Sequence, residues 1–314
     1  MYKYKHTVFT PVYNRSKLIG NVYKSLVEQI YPKEKFEWLI IDDGSTDSLR
    51  SIIEKYIVEE KINIRYIYKE NGGIHTAMNC AIENALGEYV TRIDSDDILC
   101  NDALLNKDNA LDSIGNTESY RYAGVVGLCL NSKDLSIRGT PFPEDVIDST
   151  GIELRKKYNV RGDKNFCMKT DIMKKYLIPE FTDTKYVPEG IIWNRIDNEY
   201  LTRFINVGLS ICAEESDDSM MKSLKRSTKS KEAYLSFFYS DMFWINESWN
   251  KMNLIERLGK SVRLIAYGKL SKRYSLLEII RLINSKRRKI IIFIMIPLAY
   301  MIIISTNSRK LIRK

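Results

Sequence analysis

Histidine is almost missing from this 314-residue chain: only His6 and His75 occur, so a metal site in the second half has no imidazole to draw on. Cysteine is sparse as well. Cys80, Cys100, Cys129, Cys167 and Cys212 are scattered, odd in number and never arranged as C-x-x-C. This spacing argues against a disulfide framework and points to reduced thiols and a cytoplasmic location. The N-terminus carries no secretory leader pattern, which points the same way. Neither G-x-G-x-x-G nor a Walker loop is present, so the dinucleotide and P-loop fingerprints are excluded.

Long hydrophobic runs are lacking too. The longest uncharged apolar stretch, residues 290–304 (IIIFIMIPLAYMIII), covers roughly 22 Å as a helix against a hydrocarbon core of about 30 Å. Pro297 would kink it further. Acidic residues are scarce around it: residues 221–314 hold 21 Lys and Arg against 5 Asp and Glu, a net +16, whereas residues 1–220 hold 28 against 35, a net −7. The two regions therefore have different partners. With KRRK (286–289) before the run and RKLIRK (309–314) after it, the expected partner of the tail is an anionic membrane surface rather than nucleic acid. An interfacial or re-entrant anchor is the expectation for 290–304, with a buried core helix and a true membrane span as the other readings. Phe238, Met242 and Ile245 recur at helical spacing upstream, a pattern that core packing usually explains and that a membrane-lying or subunit-packing stretch would share.

What is present in the N-terminal region is alternation. Residues 6–10, 36–41, 62–68 and 88–94 read as strands, and 16–29, 46–60 and 75–86 as helices between them, with Ile19, Val22, Leu26 and Ile30 marking one apolar stripe. Such alternation predicts a mostly parallel sheet covered by helices on both faces. Ligands of such sheets bind beyond the carboxyl ends of the strands. TPVYNR (10–15), DDGSTD (42–47), ENGG (70–73) and DSDD (94–97) all fall at those ends.

The acidic clusters can be tested as calcium loops. Counted from Asp94, Ile98 and Leu99 occupy positions five and six; counted from Asp43, Ser48 stands where glycine is required. Both fail. Crowded carboxylates raise one another's pKa unless a cation sits between them. If Asp94-Ser95-Asp96 is extended, its two aspartates point to one side and can share a hard divalent cation that keeps positions open for phosphates. Asp42, at a strand end, could accept the N3–H of a uracil, and Gly44 and the Gly72–Gly73 pair allow close backbone approach.

In order and spacing, TPVYNR, DDGSTD, NGGIHTAMNCAIENALGEYVTRIDSDD (71–97) and VPEGIIWNRI (187–196) resemble the inverting nucleotide-diphospho-sugar glycosyltransferases of family 2, across roughly residues 4–215. The resemblance implies an α/β GT-A fold, Rossmann-like with a mostly parallel sheet, followed by a C-terminal helical, membrane-associating extension. It divides the GT-A domain into a nucleotide-sugar half (1–100) and an acceptor half (101–220), and leaves outside it the basic helical region (221–314) with the apolar anchor 290–304. It implies that Pro11, Tyr13, Asp42, Asn71, Gly73, Asn79 and Asp94 bind the nucleotide-sugar, that Asp94 and Asp96 hold Mg²⁺ or Mn²⁺, and that Glu189 is the general base on the acceptor hydroxyl. The implied partners are a UDP-sugar donor and a saccharide acceptor, lipid-linked in surface polysaccharide synthesis, and the implied location is the inner face of the cell membrane.

Many relatives carry Ala-Arg-Asn where this chain has Ala77-Met78-Asn79, which leaves Lys69 and Arg92 as the nearby cations for the diphosphate. Glu189 follows Pro188 at the opening of a helix, where the dipole favours a negative side chain. Asp197 and Glu199 are weaker candidates for the same role, His75 could contact phosphate, and His6 belongs to the packing of the first strand. A sugar nucleotidyltransferase would carry a basic Gly-rich loop after the first strand, which TPVYNR lacks. A polyprenyl-phosphate sugar synthase and a non-catalytic nucleotide-sugar-binding assembly partner are the alternatives.

Overall fold

In a computed structural model, residues 2–115, 117–214 and 231–311 are described. The chain forms two compact units, Met1–Ile178 with Glu199–Ser216, and Pro179–Asn198 with Asp217–Lys314. The boundary drawn at residue 220 lies outside the described residues. Residues 1–100 and 101–178 belong to one unit because one sheet runs through both.

The first unit begins with β1 (Tyr4–Val12), α1 (Ile19–Val27), β2 (Phe36–Asp42), α2 (Leu49–Val58), β3 (Asn63–Tyr68), α3 (Ile74–Asn84) and β4 (Gly87–Arg92). The strands lie in the order β3-β2-β1-β4 and are all parallel. Central strands of such a layer are buried on both faces and read as continuous apolar runs. Val8, Phe9, Leu39, Ile40, Ile41 and Val90 are accordingly buried. Ile19, Val22 and Leu26 of α1 join the core with Trp38 and Phe36. Ile30 does not: α1 ends at Val27, and Ile30 stands beyond it, exposed.

Past β4 the sheet becomes mixed. β5 (Ile98–Leu99), α4 (Ala103–Asp112), β6 (Tyr122–Asn131), β7 (Val146–Ser149), α5 (Gly151–Lys157), β8 (Lys164–Lys169), α6 (Thr170–Lys175) and β9 (Leu201–Cys212) complete the unit. β8 runs antiparallel to both β4 and β6, β9 runs parallel to β6, and β5 and β7 pair antiparallel with β9. His6 is fully buried in β1, its Nδ1 3.6 Å from Cys167 Sγ and its Nε2 3.4 Å from Asp108 Oδ1. The packing role read for it therefore includes a polar contact on each side.

The second unit contains α7 (Gly190–Glu199, all but its last residue), α8 (Lys231–Glu247), α9 (Leu254–Leu270), α10 (Leu276–Arg281), α11 (Lys286–Ile294) and α12 (Ile296–Leu311). Phe238, Met242 and Ile245 of α8 form its core with Leu264 and Ile265 of α9. Capping boxes, Asn253 with Glu256 and Ser275 with Glu278, start α9 and α10 by satisfying otherwise unpaired first-turn N–H groups.

Candidate active site

The parallel register brings the carboxyl ends of three strands level: Val12 pairs with Asp42, and Asp42 with Tyr68. Pro11 fits in β1 because the β4 ladder stops at Phe9 and Arg92, so no N–H is needed there on that side. Beyond it the chain turns through Asn14, which adopts a left-handed φ of 52°. The Asn14 N–H donates to Ser45 Oγ at 2.9 Å, the Thr46 N–H donates to Asn14 Oδ1 at 2.8 Å, and the Ser16 N–H donates to Asp47 Oδ2 at 2.9 Å. The loops after β1 and β2 are thereby laced into one rim. Tyr13 stands on this rim with half its surface exposed.

Asp42 is buried at the end of β2. Its Oδ1 accepts the Ser45 N–H at 2.7 Å and its Oδ2 accepts the Tyr66 hydroxyl. Burial, then the hydrogen bond to Asp42, hold the Tyr66 phenol well above its ordinary pKa, so it stays a donor. Each carboxylate oxygen has a second lone pair, so the group can still accept from a ligand.

The next residue, Asp43, organises the third loop. Its Oδ1 accepts Lys69 Nζ at 2.7 Å and the Gly72 N–H at 3.0 Å, and its Oδ2 accepts the Gly73 N–H at 2.8 Å. Asn71 Nδ2 donates to the Asp43 carbonyl at 2.8 Å. Gly73 starts α3 with φ 94°, a conformation that suits glycine. Gly44 is left-handed as well, and a Cβ there would come within 2.8 Å of the Asn71 nitrogen. Sequence reasoning passed over Asp43 in favour of its neighbour. The available signal was the Gly-Gly pair, whose backbone donors need an acceptor nearby.

Lys69 and Arg92 are committed elsewhere. Lys69 Nζ also donates to the Glu70 carbonyl at 2.7 Å and to Thr76 Oγ1 at 2.8 Å, which fills its three donors. Arg92 grips Asp94 as a fork, Nε to Oδ1 at 2.5 Å and Nη2 to Oδ2 at 2.7 Å. Asn79, expected at the nucleotide, is buried and joined to the backbone of Ile178: its Nδ2 donates to the carbonyl at 2.7 Å and its Oδ1 accepts the N–H at 2.9 Å. This places it as a structural pin. His75 is buried in the first turn of α3.

The aspartate triplet is not extended. β4 ends at Arg92, and the Asp97 N–H donates to the Asp94 carbonyl at 3.1 Å, closing a turn across Asp94–Asp97. The alternation that would place Asp94 and Asp96 side by side does not apply, because a hydrogen-bonded turn replaces the pleat. Asp97 is drawn in: its Oδ1 accepts the Ala213 N–H at 2.9 Å, and burial together with the Asp94 charge pushes its carboxyl up to about 7.

Among the described residues, no three His, Cys, Asp or Glu side chains group as a metal cage. The donor set suits a cation of the other kind. Asp94 is paired with Arg92, Asp96 has no hydrogen-bond or ion-pair partner among the described residues, and Asp97 is raised by burial and then by the neighbouring Asp94 and Asp96 charges. A hard divalent ion bound through one or two carboxylates and completed by substrate phosphates fits these residues.

Residues 7–107 match the family model described as glycosyl transferase family 2. The chain carries a family 2 glycosyltransferase domain. The match contains every sheet-end loop described above and leaves Glu189 outside. Among curated proteins, the chain is 30% identical over 173 residues to the poly(ribitol-phosphate) beta-N-acetylglucosaminyltransferase TarS of Staphylococcus aureus, covering 54% of this chain and 28% of that protein. It is 35% identical over 135 residues to the poly(ribitol-phosphate) beta-glucosyltransferase of Bacillus spizizenii, covering 38% and 20%. The chain thus spans less than a third of these relatives' length. Residues 1–349 of S. aureus TarS, solved in complex with UDP-GlcNAc, superpose with a TM-score of 0.63 at 20% identity, covering 98% of this chain and 92% of that one. That likeness establishes the GT-A fold.

Glu189 belongs to the second unit, one residue ahead of α7, and its carbonyl accepts the Ile192 N–H at 2.9 Å. Of the weaker candidates, Asp197 is buried, and Glu199 Oε2 pairs with Lys175 Nζ at 2.7 Å.

Proposed function

We propose that this protein is a metal-dependent, inverting glycosyltransferase that moves a sugar from a UDP-sugar to a hydroxyl of a cell-surface polymer, on a lipid-linked saccharide acceptor. The observation that carries the reading is the gathering of loops at the carboxyl ends of four adjacent parallel strands, with Asp42 ending β2, Asp43 directly after it, and the Asp94–Asp97 turn following β4. Open α/β sheets bind ligands at that edge. The domain match and the relatives that act on poly(ribitol-phosphate) support a sugar transfer to a wall polymer.

The chemistry distributes over named groups. Asp42 accepts the N3–H of uracil, and the exposed ring of Tyr13 offers a stacking face to the base. Asp43 holds the Asn71–Gly73 loop beside them. Asp96, with Asp94, would hold Mg²⁺ or Mn²⁺, and when bound the ion supplies positive charge against the diphosphate leaving group. Lys69 and Arg92, the cations read for the diphosphate, are already paired with Asp43 and Asp94. Glu189 takes the proton from the acceptor hydroxyl as it attacks, the task of a positioned carboxylate base.

Calorimetric titration of UDP with and without Mn²⁺, for wild type and Asp96→Ala, tests the reading. The expected result is metal-dependent binding that Asp96→Ala abolishes. Failure of UDP, GDP and dTDP to bind under either condition would overturn it.

A further inference from the structure

The C-terminal helices leave one face uncovered. α11 and α12 meet at a bend of 50°; among the described residues no single helix is long and apolar enough to cross a membrane, while this bent pair together has the length and composition of a broken span or a re-entrant loop. One side of the pair belongs to the core of the second unit: Ile292 and Ala299 are fully buried there. Arg288 fastens α11 to the end of α8 by donating to the carbonyls of Ile245 at 2.8 Å and Asn246 at 2.6 Å. On the other side Ile290, Phe293, Ile294, Leu298, Met301 and Ile304 are each 49% to 66% exposed. Side chains of this size left in water on consecutive turns mark an interaction face.

The surrounding charge selects the occupant. No charged residue interrupts 290–304, while Lys286 and Arg287 stand exposed at the start of α11. With 21 basic and 5 acidic residues over 221–314, two copies meeting through this face would bring like charges together. An anionic lipid surface instead offers hydrocarbon to the apolar stripe and headgroups to the cations.

We infer that the exposed face of α11 and α12 seats the protein in the plane of an anionic bilayer surface, without crossing it. A crossing pair would carry with it α9, which packs against the Ile292–Ala299 side and holds Arg257, Lys260 and Arg263, and burying those charges in hydrocarbon is a cost that an in-plane seat avoids. This inference stands apart from the glycosyltransferase reading and uses no activity as readout.

Flotation of the full chain with vesicles of phosphatidylcholine alone, or of phosphatidylcholine mixed with phosphatidylglycerol, tests it. Wild type is expected to float with the mixed vesicles, and less so at high salt. Phe293→Ser/Met301→Ser, two exposed sites whose change leaves the core intact, should lower the partition coefficient at least tenfold. Lys286→Gln/Arg287→Gln should weaken binding to mixed vesicles roughly fivefold per charge and leave the weak binding to neutral vesicles unchanged. Circular dichroism of each variant would verify the fold. Wild type that floats with neither vesicle overturns the inference. So does a dimer in solution that Phe293→Ser/Met301→Ser converts to monomer, since the face would then belong to a second copy.

Discussion

The Asp43 carboxylate accepts the backbone N–H of Gly73 at 2.8 Å, tying the end of β2 to the start of α3 across 30 residues of sequence. The same carboxylate pairs with Lys69 at 2.7 Å. Asp43→Ala removes the acceptor from two backbone donors and strands a part-buried ammonium. Loss of about 2–4 kcal/mol of stability is expected, with UDP affinity falling at least tenfold. Urea unfolding and calorimetry check the two effects separately; unchanged UDP affinity would show that the loop does not need its anchor.

Asn79 offers a sharper distinction. Both ends of its amide are used by Ile178, so Asn79→Ala should cost about 1–3 kcal/mol by leaving buried backbone groups unpaired. The affinity for UDP, measured on the folded variant, should stay within a factor of two or three, about the size of a surface effect. A large loss of affinity at normal stability would return Asn79 to the nucleotide.

Glu189→Gln keeps size and hydrogen-bonding capacity but removes the carboxylate proposed as the base. The turnover number should drop about 10²–10⁴-fold, with binding of UDP unaffected. Single-turnover rates with a UDP-sugar and acceptor check this. A variant with full turnover would move the base elsewhere, with Asp197 the next to test.

Lys107 is completely buried in α4, where its Nζ donates to Thr91 Oγ1 at 3.2 Å. Burial lowers its pKa from 10.5 to about 8. Folding therefore carries a penalty below pH 8, where the folded chain must bury the charge. As pH rises from about 8 towards 10.5, the unfolded chain alone keeps the proton, unfolding takes it up, and the penalty vanishes. At 1.36 kcal/mol per pKa unit the full effect is about 3 kcal/mol. Lys107→Met should be more stable than wild type at pH 7, and the gap should narrow by pH 10. Unfolding curves of the pair across that range check it; a constant gap would show that Lys107 is neutral throughout.

Several boundaries were legible in the sequence because local pattern and tertiary fold agree there. The apolar runs ending in polar loops locate β1 to β4 within a residue or two, and Ile19, Val22 and Leu26 are buried as their spacing requires. Ile30 failed because the helix stops first, and periodicity does not mark a stop. The extended form considered for Asp94-Ser95-Asp96 does not hold, because nothing in RIDSDD tells a pleat from a hydrogen-bonded turn.

What the sequence determined by itself is the placement of polar loops at strand ends and the polarity of the chain, acidic ahead of basic, since both depend only on residue order. Tertiary structure decided who pairs with whom. Arg92 closes on Asp94 and Lys69 on Asp43, and Asn79 turns away to Ile178, because a charged or amide group takes the nearest partner left to it once water is excluded. The tail follows the same rule: composition marks 290–304 as apolar, and only packing against α8 and α9 chose Ile292 and Ala299 to be buried and left Phe293 and Met301 facing out.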